Sequence, residues 1–532
     1  VQSQSNSTPD TPPHYHLVGG GIASLAAGLF LIRDAGISGE QITIYESSPV
    51  FGGSLDGAEI RNGVFTARGG RMFEPHFRCT FDLLSSVPSL ESQGRTVLDD
   101  IESFNKAVVG SSNCRLVHQG RRVDPLQFGL TRKELRDLTR FLARSEASLD
   151  GLRIDDCFRP RFFSSHFWLM WSTTFAFLPW HSAMELRRYF RRFIHLLPGF
   201  KKIKGILRTR YNQYDSLIDP IMTWLRAQGV RFRPNSDVTD VEIADTPEGK
   251  QASALHVLAA GRTEIIPVSA SDQVYLTLGS MTENTYRGST SRAPSPVPNA
   301  PEPWRLWHRL AARDSAFGRP GAFCSDPEKT SWTSFTVTLP GPDFFTYMEE
   351  FTGNESGTGG LVTLEDSNWL LSIVMFHQPH FRSQPAGSFT FWGYGLRGNR
   401  DGNLINKHMT ACSGAEILQE LSHHLKLGAQ ANKLFKDAVV IPTVMPFITS
   451  QFMPRSAGDR PVVKMPDAAN FAVIGQYCEQ PDDVVFTVEY SVRSAMAAVY
   501  ALCKTSKTLP PVAKTARDPK VMWRAARTLI RG

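Results

Sequence analysis

Gly19, Gly20 and Gly21 stand between an apolar run that ends at Val18 and an Ala/Leu-rich stretch that follows at once. Glycines let a backbone approach a pyrophosphate, and the start of a helix offers oriented N–H donors and a favourable dipole to the same anion. Ala23 and Ser24 fall in the first turn of that helix, Ser24 where a GxGxxG pattern carries its last glycine. Glu46 closes the next strand, roughly 20 or more residues past the first glycine, where a carboxylate accepts from adenosine ribose hydroxyls and discourages a 2′-phosphate. Gly52, Gly53 and Ser54 add a second glycine pair suited to covering a pyrophosphate from its other side. The chemistry expected is the binding of a dinucleotide; ordinary glycine turns in an α/β sheet are the competing reading.

The elements that must hold these residues recur along the chain. A strand ends at Val18, a helix follows, and the second strand covers Gln41 to Tyr45. The stretch Tyr214 to Ile243 reads as a helix and then a strand that includes Val238, a return to the same domain. The strand Gln273 to Leu278 ends in Gly279 and Ser280, again a small-residue turn able to pass close to a cofactor. From Asn470 to Leu502 the pattern is strand, glycine turn at Gly475, then a long Ala-rich helix beginning near Phe486 and Thr487 and aimed at a flavin ring. The double glycine device is more like FAD proteins than NAD dehydrogenases. The fold expected is α/β: a Rossmann-like FAD-binding domain built from discontinuous segments, an inserted mixed α+β substrate domain, and a helical C-terminal tail. The boundaries expected are a disordered 1–13, FAD-binding segments 14–112, 211–284 and 431–504, substrate-domain segments 113–210 and 285–430, and a basic tail 505–532.

At 532 residues the chain exceeds one ordinary core, and two or three domains are expected. A hydrophobic content of 41% with 20% charged residues describes a globular protein, and no stretch reaches the roughly 18 apolar residues of a membrane span. Phe167 to Trp180 is too short. From Leu130 to Phe200 the pattern is helical and rich in Phe, Trp and Arg, suggesting helices that wall an apolar cavity, although any one aromatic is better placed in the core. Seven cysteines lack CxxC spacing and histidines at ligand intervals, so neither a metal site nor a disulfide framework is expected. The polar start lacks an apolar leader core, and a cytoplasmic location is expected. The formal charge of +7 is concentrated at the end, where Val521, Met522, Trp523, Ala526, Leu529 and Ile530 could form an apolar stripe between arginines. A peripheral membrane contact is preferred to nucleic acid there, with a tail helix docked on the protein itself as the alternative.

Several blocks then become recognisable: GGGIASLAAGLFLIRDAG, GGSLDG, RGGRMFEPHFRCTFDLLSSVPSLE, WHSAMELRRYFRRFIHLLPG, RYNQYDSLIDP, LGSMTENTYRGS, QPHFRSQP and MPFITSQFMPR. Over roughly Tyr15 to Leu502 they closely resemble the oleate hydratase family, also called myosin-cross-reactive antigens. The resemblance implies an FAD enzyme, most active with the flavin reduced, that adds water across an isolated cis double bond of a long-chain unsaturated fatty acid without net redox change. It also implies a homodimer. Gly69, Gly70 and Arg71 match the family's RGGRE loop beside the flavin ring, but the water-activating glutamate is replaced by Met72, and Glu74 is the nearest substitute base. Tyr189 matches the proton-donating tyrosine, and neighbouring arginines would lower its pKa. Gln213 matches a residue lining the substrate site. The polar pair that holds the fatty-acid carboxylate with a histidine is replaced by Val374 and Phe376, leaving His380, with His377 as a possible compensating group.

Four functions remain in view. The first is a fatty-acid hydratase with Tyr189 as acid, Glu74 as base, and His380 with Gln213 placing the substrate. The second is an offshoot acting on another lipophilic alkene, an isoprenoid or polyketide, by protonation leading to isomerisation or cyclisation. Net redox catalysis is weaker, because no second nicotinamide-binding fingerprint is present. A catalytically silent flavin- or lipid-binding protein is the fourth.

Overall fold

The computed structural model describes residues 12–531 apart from 56, 62, 71 and 299–301. Of the disorder expected over residues 1–13, residues 1–11 lie outside the described residues, as does the expected cofactor contact of Arg71. A five-stranded parallel sheet runs in the order Phe471–Ile474, Gln273–Thr277, Tyr15–Val18, Ile42–Tyr45, Arg231–Arg233. Its strands therefore come from three separated stretches of sequence. Tyr15–Val18, Ile42–Tyr45 and Phe471–Ile474 are buried along their whole length, the pattern of a parallel sheet covered on both faces. The covers include helix Ile22–Ala35 and helix Val488–Leu502, which pack against each other. The antiparallel strands Ser236–Thr246, Gly249–Ala259 and Arg262–Pro267 form a separate three-stranded sheet.

An eight-stranded sheet forms the second body, in the order Tyr286–Arg287, Val439–Met445, Trp332–Leu339, Phe389–Gly395, Leu371–Met375, Leu361–Leu364, Leu116–His118, Arg121–Arg122. All neighbours are antiparallel except Leu361–Leu364 with Leu116–His118. This arrangement moves two boundaries. Val439–Met445 bonds along its length to Trp332–Leu339, so the return to the cofactor domain falls after residue 445 rather than at 431. Helix Arg305–Arg313 packs on Ser236–Thr246 and buries Trp307 and Leu310 in a cluster shared with Val18 and Tyr45. It belongs with the cofactor domain although 285–430 reads as substrate domain.

The aromatic segment is mostly core rather than cavity wall. Phe167 and Trp171 pack with Phe190 and Phe200, and Phe175 stacks on Phe193. Only its small residues Thr173, Thr174 and Ala176 reach the cavity described below. The tail forms helix Pro519–Arg531, which docks on the protein against Ile194–Lys202. Val521, Met522, Ala525 and Leu529 face inward, whereas Trp523 (61% exposed) and Ile530 (73%) face out beside Arg524, Arg527 and Arg531. Among the described residues no helix is long and apolar enough to cross a membrane.

Candidate functional site

The first site is the hollow at the carboxyl ends of the parallel strands, the general ligand position of such sheets. Gly19 turns with φ +90°, and its amide donates to the Tyr45 carbonyl at 2.9 Å. Gly20 N donates to Glu46 Oε2 at 2.7 Å, and a Cβ at Gly20 would meet Phe51 and Glu46 at 2.5 and 2.8 Å. Gly21 opens helix Ile22–Ala35 with no capping side chain and no acid in the first turn, and the space in front of it is open. The N–H groups at that end, which include those of Ala23 and Ser24, are thus left for an anion. Gly52 N donates to the Gly20 carbonyl at 2.9 Å, and Gly53 lies against the Gly21 backbone, with Ser54 next to it. The second glycine pair therefore abuts the first. Glu46 also accepts from Ser48 N at 2.8 Å. These residues fit a dinucleotide.

Gly475, φ +96°, is held by its amide to Ser494 Oγ at 2.8 Å, and the side chain of Thr277 faces both it and Gly19. Thr487 caps helix Val488–Leu502, and Phe486 stands before it. Val238 is buried beside Val18 and Tyr45. Gly279 is packed against the rings of Tyr477 and Trp304, whose indole donates to the Ser280 carbonyl at 3.1 Å. Gly279 is therefore a close-packing position, with no free face of its own towards a ligand.

The second site is a cavity of about 120 Å³ on one face of the eight-stranded sheet. Strand alternation places Leu361, Val374, Trp392 and Tyr394 on that face, with Val374 opposite both Leu361 and Trp392. The hairpin Gly57–Arg61/Val64–Ala67 delivers Gly69, Gly70 and Met72 to it, anchored by Ala67 N to Thr336 Oγ1 at 2.9 Å and by the pairing of Phe73 with Leu207. Gln213, Phe376, His377 and His380, the other residues expected to meet the substrate, line it too, together with Phe486, which was expected at the cofactor. His380 stacks on Phe376 at 3.6 Å between ring centres, and burial holds its pKa down at about 3. A cleft of about 340 Å³ adjoins and shares Thr209 and His377 with the cavity.

Tyr189 and Glu74 do not line this cavity. Tyr189 is packed among Phe175, Phe177, Phe193 and Phe452, and its hydroxyl donates to the Val485 carbonyl at 2.5 Å, one residue from the cavity-lining Phe486. The neighbouring Arg187, Arg188 and Arg192 carry ion pairs of their own. Arg188 pairs with Glu146 and Glu479 and Arg192 with Glu74, because on helix Ala183–Phe193 they form the stripe next to Tyr189 and Phe193. Glu74 corrects the sequence expectation more directly. Its Oε1 meets Arg192 at 2.5 Å; its Oε2 meets His76 at 2.7 Å and His195 at 3.3 Å. Burial alone would raise this carboxyl, but the His195 hydrogen bond and the Arg192 charge overcome it and hold the pKa at about 2. A carboxylate so committed is a poor base. Glu74, His76 and His195 also bring three donor atoms within 4.8 Å of one another, but Arg192 already occupies the charge that an ion would need.

Tyr394 and Arg208 are among the lining residues that escape the sequence reading. Tyr394, whose hydroxyl donates to the Thr173 carbonyl, is legible from the alternation of FTFWGYG. Arg208 has no comparable signal.

The fold and the two adjoining sites define a dinucleotide-binding α/β protein with an apolar ligand cavity. The chain belongs to the MCRA family, whose model matches residues 13–500. It is 39% identical over 524 residues to an oleate hydratase of Streptococcus pyogenes serotype M49 (strain NZ131), covering 96% of this chain and 88% of that protein. It is 30% identical over 563 residues to a linoleate hydratase of Lactiplantibacillus plantarum, covering 97% and 98%. In fold it is similar to cyclohexylamine oxidase from Brevibacterium oxydans IH-35A (TM-score 0.55, 12% identity, 93% of this chain and 99% of that one). A putrescine oxidase gives TM-score 0.54 at 12% identity, over 93% and 99%.

Proposed function

We propose that the chain is an FAD-dependent hydratase that adds water, without net redox change, to an isolated cis double bond of a long-chain unsaturated fatty acid. The observation that carries this reading is the apolar cavity that the Gly69–Gly70 and Met72 loop closes, in a chain 39% identical to an oleate hydratase. FAD would be held by Gly19, Gly21, Ala23 and Ser24 at the pyrophosphate and by Glu46 at the ribose, with Gly53 and Ser54 covering. Gly69, Gly70, Phe486 and Thr487 would stand at the ring. FAD held by these residues, in its reduced form, would supply a polarised electrostatic surface to the reaction.

The chain's own residues do the remaining work. Trp332, Trp392, Val374 and Phe376 exclude bulk water, which makes protonation of an unactivated alkene by a positioned acid feasible. Tyr189 is the acid of this proposal, released from the Val485 carbonyl, and Gln213 and His380 place the ligand. One observation favours isomerisation as a second reading: among the described residues lining the cavity there is no carboxylate to activate water. The outward Trp523 and Ile530 beside arginines support a contact of the tail helix with an anionic lipid surface.

The test is to load the protein with FAD, reduce it, and supply oleic or linoleic acid in ¹⁸O water. Labelled hydroxy acid is expected, falling at least about 100-fold in Tyr189→Phe. Full retention in Tyr189→Phe with loss in Tyr394→Phe moves the acid to the phenol that lines the cavity. A double bond that migrates without taking up label selects isomerisation.

A further inference from the structure

Two guanidinium groups, Arg115 buried and Arg208 half-buried, stand against the cavity with no carboxylate partner among the described residues. Arg208 lines it; its Nη2 donates to the Val108 carbonyl at 2.6 Å and reaches Asn105 Oδ1 at 3.5 Å. Its Nε is buried and finds no acceptor among the described residues. Arg115 stands just behind the wall, donating to the carbonyls of Leu361 and Phe200 and to Thr174 Oγ1, at 3.2, 2.8 and 2.9 Å. All these partners are neutral oxygens. Burial pushes both guanidinium pKa values down to about 10. The arginines of the adjoining cleft are different, since Arg210 pairs with Glu91 and Arg382 with Asp219.

A charge withdrawn from water is costly unless it is paired, and among the described residues these two cations have no anion. The histidines cannot supply or cancel that charge: burial keeps His380 neutral, and burial with Arg210 and Arg208 lowers His377. The chain has also made room for the guanidinium. A Cβ on Gly359 would lie 3.0 Å from both Cδ and Nη1 of Arg208, and one on Gly357 would lie 2.7 Å from the His377 Cβ. His377 Nδ1 is buried without a hydrogen-bond partner among the described residues. At about 120 Å³ the cavity is smaller than the roughly 300–1,000 Å³ of ordinary ligand sites, so a long ligand has to reach beyond it. The cleft that shares Thr209 and His377 with it is the adjacent space, and we call the boundary between the two the throat.

We propose that Arg208 is the carboxylate anchor of this chain, binding the acid group of the ligand at that throat with the neutral His377 ring as second donor. It takes over from the polar pair that Val374 and Phe376 have replaced. The proposal rests on the fatty-acid reading above.

The test titrates the FAD-loaded protein with oleate and with oleyl alcohol, which keeps the chain and double bond but carries no charge. Oleate is expected to bind the unmodified protein more tightly than the alcohol. Arg208→Gln should weaken oleate about 10- to 100-fold, the range of a charge-assisted hydrogen bond, and leave oleyl alcohol within about twofold. Arg208→Lys should retain part of the preference. Equal loss for both ligands, or no loss, overturns the proposal. If Arg208→Gln does not fold, equal affinity of the unmodified protein for the two ligands overturns it alone. Turnover is read separately: acid-selective binding without hydration leaves the anchor and removes the hydratase, whereas hydration without acid preference removes the anchor.

Discussion

Glu74→Gln is expected to damage the fold and not the chemistry. The substitution removes a carboxylate shared by Arg192, His76 and His195, and leaves the buried Arg192 with Asp483 at 3.8 Å. A carboxyl held at about 2 in the folded chain, against about 4.3 when unfolded, contributes about 3 kcal/mol at neutral pH. Breaking a buried pair costs about 3–5 kcal/mol, and the remaining Asp483 argues for the lower end. Both routes give about 3 kcal/mol, roughly a 150-fold change in the folding equilibrium. Because the folded pKa lies below the unfolded one, this stability is fully present above pH about 4.3 and is lost as pH falls towards 2. The gap between variant and parent should therefore close on acidification below pH about 4. The assay is urea unfolding of the FAD-loaded proteins, compared by midpoint because a large cofactor-bound chain need not unfold in two states. With a slope above about 3 kcal/mol/M for a chain of this size, the midpoint falls by up to about 1 M. Hydration per folded, flavin-loaded molecule should stay within about threefold, since a lost general base costs about 10²–10⁴. An unchanged midpoint with a hundredfold loss of activity would refute the argument and return Glu74 to catalysis.

Gly20→Ala should cost flavin, because its Cβ would collide with Glu46 and Phe51; gel filtration is expected to show at least about tenfold weaker retention, in line with losing one ribose hydrogen bond to a charged group. His380, held at about 3 by burial, should show no titration of its ring between pH 5 and 8 by nitrogen NMR. The sign follows: the unfolded histidine takes up a proton below about 6.5 and the folded one does not, so this group lowers stability progressively as pH falls from 6.5 towards 3. Trp523→Glu with Ile530→Glu should abolish sedimentation with anionic vesicles and leave hydration of dissolved oleate unchanged, since both side chains face away from the protein.

The cofactor hollow was legible because it is local. Strand, glycine turn, helix and acidic strand end lie within residues 15 to 46, and only the abutment of Gly53 on Gly21 needed the structure. The interrupted sheet was legible from its three strand-turn signals, while the place of Val439–Met445 was not, because strand pairing across the second body leaves no mark in the strand's own pattern. Glu74 misled for the same reason. Its partners Arg192 and His195 belong to a distant helix and the turn after it, and nothing around residue 74 announces that both oxygens are taken. Arg208 was hidden more completely. It reaches the cavity because Leu207 pairs with Phe73 and because Gly359 stands aside, two facts about chain crossings.

The unpaired arginines bear on the reaction as well as on recognition. Protonating an isolated alkene builds positive charge on carbon, and the buried Arg115 with the half-buried Arg208 near the cavity oppose that charge where screening is weaker than in water. A ligand carboxylate bound at Arg208 cancels one of them before the proton moves, so the acid group lowers the barrier in addition to supplying affinity. Oleyl alcohol would then occupy the cavity yet react slowly, and recognition of the acid would be part of catalysis. The same reasoning assigns a cost to the missing water-activating glutamate: water adding to a cation-like carbon needs little help from a base, so Met72 slows capture without changing the kind of reaction. What decides between hydration and isomerisation is whether a water stands in a cavity walled by Met72, Val374 and Phe376 when the cation-like carbon forms.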